Sequence, residues 1–306
     1  MSYDVITIGS ATLDVFLMSD AFKVVQSSKF AGGKGECFSF GSKIEIDGYQ
    51  MDTGGGATNT AATFSRLGLR AACITEIGDD LAGEEILGAL KKEKISNKFV
   101  MMDSKHQTGY STILLTSNGQ RTILVYRGAS DKISESWVPF NQIKAKWLYI
   151  TSLGGDIKLL RRLVNHAKRK KTKIAFNPGS KEIASGKLAS LLPLVDVLIV
   201  NKEEAAKLSK FKSTGIKVIT DGRRGATVWA DGKKRHIGIY PVKMVDATGA
   251  GDAFGSGFVA GLIKYKNLHK AMQLAAWNAS SNVQEIGAKS GLVRGFPRKP
   301  LKVVGF

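Results

Sequence analysis

Val245-Asp-Ala-Thr-Gly-Ala-Gly-Asp-Ala-Phe254, running on as Gly255-Ser-Gly-Phe-Val-Ala-Gly-Leu262, is the stretch around which the rest of the chain arranges itself. A glycine-rich turn that opens a helix presents unpaired backbone N–H groups at the positive end of the helix dipole, which suits an anion. Gly249 and Gly251 let the backbone approach that anion closely. An acid inside the first turn, Asp252, repels a resting phosphate but is well placed as general base for a hydroxyl attacking one. It is equally consistent with a carboxylate that only complements the helix N-terminus. Gly255, Gly257 and Gly261 each cost about 1 kcal/mol of helix propensity, so the helix is expected to lie close against another backbone. No Walker A pattern occurs, and Gly249-Ala-Gly251 does not extend to GxGxxG because Phe254 holds the last position. Both nucleotide-loop classes are therefore disfavoured.

Upstream of this turn, short apolar runs ending in Gly, Asn or Asp alternate with helix-like stretches. The runs Val5–Gly9, Ala71–Ile77, Trp147–Thr151, Ile174–Asn177, Val195–Asn201, Val218–Asp221 and Ala226–Ala230 read as strands. Thr58–Leu67, Gly83–Glu93, Ile157–Lys170, Glu203–Leu208, Ala250–Tyr265 and Leu268–Asn282 read as helices. Strand and helix alternating in this way predict an α/β fold with a mainly parallel sheet covered on both faces. Two stretches break the rhythm. Residues 15–52 contain alternating pieces such as Lys43-Ile-Glu-Ile46. Residues 107–127 alternate around Ser117-Asn-Gly119, which is a hairpin signal. Two β-excursions, at about 15–52 and 105–128, predict a small discontinuous lid over the carboxyl edge of the sheet, where such folds bind ligands. No repeat, low-complexity tract or linker interrupts the 306 residues, which are expected to form a single domain.

The 45 Lys and Arg outnumber the 26 Asp and Glu, giving a formal net charge of +19. Such a sum invites a nucleic-acid partner. The cations are spread along the whole chain, however. The densest cluster, Lys168-Arg-Lys-Lys171 with Lys173, sits at the end of an amphipathic stretch, where it complements the helix dipole. No aromatic residues interleave with it as a base-stacking platform would need. Nucleic acid is therefore not expected as the main partner. No apolar run reaches the length of a membrane span, and Met1–Gly9 reads as a first buried strand rather than a signal peptide. Cys37 and Cys73 form neither a disulfide framework nor a zinc motif, which is compatible with a reducing cytoplasm. His106, His166, His236 and His269 lack ligand spacing. Trp137, Trp147, Trp229 and Trp277 read as core, with Trp277 also a candidate to border a nucleotide.

Asp246-Ala-Thr-Gly-Ala-Gly-Asp252 resembles the C-terminal signature of the ribokinase-like (PfkB-type) carbohydrate kinases, usually D-[TS]-x-G-A-G-D. The N-terminal signature is matched by Gly54-Gly-Gly-Ala-Thr-Asn59, running into Ala61-Ala-Thr-Phe-Ser-Arg-Leu-Gly68. Landmarks between them fall in order: Ala71–Gly78 followed by Asp79-Asp80 and Gly83, Asn177-Pro178, Asn201-Lys-Glu-Glu204, and Thr220-Asp-Gly222 with Gly225. The resemblance spans essentially the whole chain. It implies a three-layer ribokinase-like fold and a kinase that uses ATP and Mg2+ to phosphorylate a hydroxyl of a sugar or a nucleoside. Asp252 is then the base, and the amides of Gly249, Ala250 and Gly251 form the anion hole. Asp14, Gly55, Gly56 and Asn59 fall on the acceptor side. Asn201 and Glu204 match the motif that organises magnesium and phosphate, although on sequence alone they equally form an N-cap and a capping-box glutamate. Thr220, Gly222 and Gly225 match the nucleotide-side turn, and Asn278 lies where the adenine pocket is usually completed. Asp246 and Thr248, with backbone near Gly287–Ser290, sit where many relatives bind a monovalent cation such as K+. Family analogy also allows a homodimer through the lid.

The chain departs from ribokinase proper at one place. Where that enzyme reads GGKGAN, this sequence has Gly56 at the lysine position, which puts ribose and phosphorylated sugars in doubt as acceptors. Gly32-Gly-Lys-Gly35 carries the letters but lacks the following Arg-Leu-Gly helix, and is expected to be a lid turn. Arg121 and Arg127 are candidates to meet an acidic substrate, or else are cross-strand charges facing solvent. Phe16, Phe38, Phe40 and Tyr110 are candidates to grip a base if the acceptor is a nucleoside.

Overall fold

The computed structural model describes residues 2–30, 32–116, 121–131, 133–208 and 215–305. In chain order its elements are β1 (Tyr3–Ile8), β2 (Thr12–Met18), β3 (Lys23–Gln26), β4 (Lys34–Cys37), β5 (Gly48–Gly54), α1 (Gly56–Arg66), β6 (Ala71–Gly78), α2 (Leu81–Lys92), β7 (Ser96–Asp103), β8 (Gly109–Leu115), β9 (Arg121–Tyr126) and β10 (Ala145–Ile150). They continue as α3 (Ile157–Arg169), β11 (Lys173–Phe176), α4 (Ser180–Ala184), β12 (Val197–Asn201), α5 (Lys202–Lys207), β13 (Ile216–Thr220), β14 (Ala226–Ala230), β15 (Lys233–Ile237), α6 (Ala250–Tyr265), α7 (Leu268–Asn282) and β16 (Val304–Gly305).

The apolar runs assemble into a ten-stranded sheet of order β16-β15-β14-β13-β12-β11-β10-β1-β6-β7. From β7 through β13 every neighbouring pair is parallel, and β14, β15 and β16 close one edge antiparallel. Strand alternation splits the core between two faces. In β10, Leu148 and Ile150 join the cluster that packs α3, whereas Trp147 and Tyr149 join the one that packs α1, α6 and α7. The amphipathic reading of α3 holds. Leu159, Leu160, Leu163, Val164 and Ala167 are fully buried, and the Asp156 side chain accepts from Leu159 N at 2.9 Å to cap the helix. Each of those buried leucines contributes about 1.5–3 kcal/mol.

The glycines of α6 are explained by two different neighbours. A Cβ on Gly261 would lie 2.5 Å from Ala271 Cα, and one on Gly257 would lie 3.1 Å from Ala275 Cα, so the α6–α7 crossing is the expected backbone-to-backbone approach. Gly255 is cleared for a side chain instead. The Tyr149 hydroxyl occupies the space its Cβ would take, and that buried oxygen has no hydrogen-bond partner.

The lid is a separate four-stranded sheet of order β5-β2-β8-β9, with a β3–β4 hairpin beside it. β2 pairs antiparallel with β5 and parallel with β8. The β8–β9 hairpin is present, while its expected turn, Ser117–Gly119, lies outside the described residues. Gly32 and Gly33 lie in the turn that leads into β4. Three expectations need correction. Lys43–Ile46 forms no strand despite its alternation, because no neighbour supplies a ladder. β7 and β15 were not among the expected strands; Lys98 and Lys233-Lys-Arg235 interrupt the apolar pattern there. Trp137 and Trp229 are 46% and 42% exposed, and only Trp147 of the four is fully core. At the edge where the strands begin, Arg70, Lys94, Lys98 and Lys144 border one groove, and Lys146, Lys168, Lys173 and Lys266 border a second.

Candidate active site

Two glycine turns meet at the opposite edge, where the parallel strands end. The first follows β5. Gly55 has φ 94°, and its Cβ would sit 2.5 Å from the Ser10 carbonyl oxygen, so only glycine lets β5 pass this close to the loop after β1. Ser10 then receives the start of α1: Gly56 N donates to Ser10 Oγ at 3.2 Å and Ala57 N donates to Ser10 O at 3.1 Å. The second turn precedes α6. Gly249 adopts φ 73° against Ala288, and Ala253 N is the first amide to find a helical carbonyl, Gly249 O at 2.8 Å. Amides of the first helical turn have no intrahelical acceptor. Ala250 N turns back to Ala247 O at 3.3 Å, while Gly251 is exposed and a Cβ added to it would meet nothing beyond its own helix within 4 Å.

The turns are joined by one contact between distant segments. Asn59 Nδ2, on α1, donates to Asp252 Oδ2, on α6, at 2.9 Å. Burial pushes the Asp252 carboxyl up to about 6, while the Asn59 hydrogen bond and the positive charge of Lys289 pull the other way. A carboxylate poised there is suited to accept a proton at neutral pH. Asp14, on β2, is 8% exposed and accepts from Thr12 Oγ1 at 3.0 Å; burial raises its pKa as well. Gly54 has no room for a Cβ because an Asp14 oxygen fills it. Asp14, Gly55, Gly56, Asn59 and Asp252 thus share one corner. Asn59 Oδ1 and Asp52 Oδ2 are buried there as acceptors with no donor.

Gly56 is closed to the lysine found in ribokinase proper: a Cβ would lie 2.7 Å from Thr151 Oγ1 and 2.9 Å from Thr151 Cβ. The four aromatics expected around a base are dispersed. Phe16 is wholly buried, Phe38 stands edge-on to Phe22 with ring centres 5.7 Å apart, and Phe40 and Tyr110 are exposed.

Where the resemblance leads one to expect the nucleotide, Asn201 ends β12 directly beside Thr220, which ends β13. Asn201 Oδ1 accepts from Glu204 N, and Glu204 Oε2 accepts from Asn201 N, each at 2.8 Å, so the capping box is real. It leaves Glu204 Oε1 free of that box. Thr220, Gly222 and Gly225 border the neighbouring loop, where Asp221 N donates to Gly225 O at 2.8 Å. Lys202 and Arg224 both reach Asp221, whose pKa Arg224 holds down at about 2.

One candidate residue needs correction, and a second is already partnered within the chain. Asn278 faces inward: it is fully buried, donates to Ala253 O at 2.8 Å and to Thr63 Oγ1 at 3.2 Å, and accepts from Val293 N at 3.0 Å. All its polar atoms tie α7 to α6, α1 and the C-terminal segment, leaving none for an adenine. Asp246, also buried, already accepts from Thr248 N, Thr248 Oγ1 and Gly287 N, and the Arg121 guanidinium stands 3.5 Å from it. Arg121 therefore points to a carboxylate of this chain rather than solely to solvent.

Four buried charged residues were missed, Glu76, Asp103, Glu182 and Lys289, of which the last two brace the loops of this edge. Glu182, 0% exposed, accepts from Leu153 N, Gly155 N and Gly179 N at 2.7–2.9 Å and so holds three loop amides at the sheet edge. Lys289, 6% exposed, donates to Thr53 O and to Thr53 Oγ1, the latter at 3.0 Å. Small residues on either side of Lys289 were its only sequence signal.

The pfkB family carbohydrate kinase model matches residues 4–293. A ribokinase from Haemophilus influenzae is 28% identical over 268 residues, covering 82% of this chain and 88% of that protein. A putative ribokinase II from E. coli, solved in complex with ATP and Mg2+, superposes with a TM-score of 0.78 at 21% identity, covering 95% of this chain and 96% of that one. A Burkholderia thailandensis nucleoside kinase in complex with inosine superposes with a TM-score of 0.75 at 17% identity, covering 95% and 93%.

Proposed function

The chain belongs to the pfkB family of carbohydrate kinases, and from that membership we propose that it transfers the γ-phosphoryl group of ATP to a hydroxyl of a small sugar, with Asp252 as general base. The acceptor oxygen forms a bond to phosphorus as the bond to ADP breaks, and the hydroxyl proton passes to Asp252. The observation that carries this reading is the Asn59–Asp252 contact beneath a glycine-led helix N-terminus, with the carboxyl poised at about 6. Charge growing on the transferring group meets the amides of Gly249–Gly251. Buried acceptors without donors at Asn59 Oδ1 and Asp52 Oδ2 suit a ligand rich in hydroxyls.

The nucleotide side suits MgATP. No group of three or more His, Cys, Asp or Glu that could hold a metal occurs among the described residues, so magnesium would arrive on the phosphates, with Glu204 near it. When bound, it neutralises phosphate charge. At Asp246 and Thr248 the carboxylate accepts from three donors and stands 3.5 Å from the Arg121 guanidinium, so a monovalent cation there would have to displace Arg121.

A nucleoside acceptor is the second reading, since Thr151 leaves no room at position 56 for the lysine of ribokinase proper, although the four candidate aromatics do not gather there. Measuring ADP release across pentoses, hexoses, ketose phosphates and nucleosides tests both. Asp252→Asn should cut turnover on the best acceptor by about 10²–10⁴-fold with little change in ATP affinity; near-normal turnover would sink the assignment of the base.

In this reading residues 1–306 act as one domain with a discontinuous lid, in the cytoplasm, where Cys37 and Cys73 stay free. The lid also supports a homodimer. Every residue of β9 is exposed, among them Ile123, Leu124, Val125 and Tyr126, and Tyr49 and Met51 of β5 are exposed too. Leu124→Glu should lower the solution mass seen by light scattering from dimer to monomer; a wild-type monomer would refute the dimer.

A further inference from the structure

Lys289 is the one lysine or arginine in the buried set among the described residues. Lysines avoid such places, because removing an ammonium from water is costly unless it is paired. Its surroundings are built to hold it. The backbone around it is clamped by Arg66, whose Nη1 donates to Lys289 O at 2.6 Å and to Leu292 O at 3.2 Å. Arg66 is fixed in turn by a two-pronged pair with Glu93, at 3.0 and 2.6 Å. From that anchor the side chain reaches Thr53, bonding both its carbonyl and its hydroxyl.

Thr53 is the last residue before the Gly54–Gly56 turn. Asp52, immediately before it, pairs across the strands with Asp14 and keeps a buried carboxylate oxygen without a hydrogen-bond partner. The Asp14 side chain fills the space above Gly54. One ammonium thus grips the strand end from which the acceptor-side turn springs, in a corner holding the carboxylates of Asp14, Asp52 and Asp252. Its charge acts on all three.

We propose that Lys289 is a positioning residue of the phosphoryl-transfer site, its buried ammonium fixing the Thr53–Gly55 turn that seats the acceptor and balancing the carboxylates around it. The role rests on the kinase reading given above. It makes Lys289 the counter-charge of a corner in which the glycine at position 56 brings no cation of its own. The groups facing Asp252 are Asn59 on α1, Tyr149 on β10 and Lys289 on the segment after α7. Only Lys289 among them is positively charged.

The test is steady-state kinetics of Lys289→Met on the best acceptor of the panel, with acceptor and ATP varied separately. KM for the acceptor should rise by about tenfold or more, the loss of a charge-assisted hydrogen bond, while KM for ATP stays put. The acid limb of the acceptor kcat/KM profile should move to higher pH, because a lost positive charge favours protonated Asp252. Thr53→Val, which removes only the hydroxyl partner, should shift acceptor KM in the same direction by less, and serves if Lys289→Met does not fold. Equal changes in both KM values, or an acid limb left in place, would make Lys289 merely structural and overturn the proposal. A wild-type enzyme inactive on every acceptor would instead refute the kinase reading itself.

Discussion

With Asp252 in the proposed role of general base, the pH dependence of the transfer step follows from a single carboxyl. Burial lifts Asp252 from its ordinary 3.8 to about 6. A base with that value is about 97% ionised at pH 7.5 and about 9% ionised at pH 5, so kcat/KM should fall about tenfold over that interval. The sign is fixed: the base must be ionised, so activity is present above the raised pKa and lost as pH falls through it. An unperturbed carboxylate would still be about 94% ionised at pH 5, and the profile would be nearly flat. The Asn59 hydrogen bond holds the value down, and a hydrogen bond to a charged group is worth about 1.5–3 kcal/mol. Asn59→Ala should therefore raise the limb by about 1–2 pH units. The assay is coupled ADP release at sub-saturating acceptor with magnesium in excess, run beside Asp252→Asn, whose residual rate should lack the limb. A limb below pH 5, or an Asn59→Ala profile unmoved or moved downward, would refute the reasoning.

Two further outcomes bear on the machinery around that carboxyl. Gly255→Ala should destabilise the protein by about 1–3 kcal/mol, the usual cost of overpacking, because the Tyr149 hydroxyl fills the space of the new methyl. In a Tyr149→Phe background most of that penalty should vanish in urea denaturation, and Tyr149→Phe alone should cost little because its oxygen is unpaired. Replacing K+ by Na+ or tetramethylammonium should leave the wild-type rate unchanged, since Arg121 faces Asp246. Arg121→Ala should make the rate K+-dependent; strong K+ activation of the wild type would show the Asp246 assignment to be mistaken.

The two glycine turns were readable in the sequence because their constraint is local. Gly55 and Gly249 need positive φ, and the helices that follow them carry Asn59 and Asp252 at fixed offsets. The parallel strands were readable because strands buried on both faces are almost uninterrupted apolar runs. Asn278 was misplaced for the complementary reason: spacing puts it on α7 but does not say which way its amide turns. Lys289 and Glu182 were hidden because charged side chains ordinarily sit in water, and only tertiary partners such as Thr53 and the amide of Leu153 reveal otherwise. β7 and β15 escaped notice as edge-region strands rich in charge, although Asp231-Gly232, both at positive φ, marks the β14–β15 turn.

Lysines line two grooves at the edge where the strands begin, while Asp14, Asp52, Asp246 and Asp252 gather at the edge where they end, each beside an internal cation. Cations also stand at the site edge, Lys202 after β12 and Arg223 and Arg224 after β13, so the grooves at the far edge carry only part of the excess charge. The carboxylates that the proposed reaction would use are held inside the fold against Lys289 and Arg121, so the surface charge and the charge of the site can change independently.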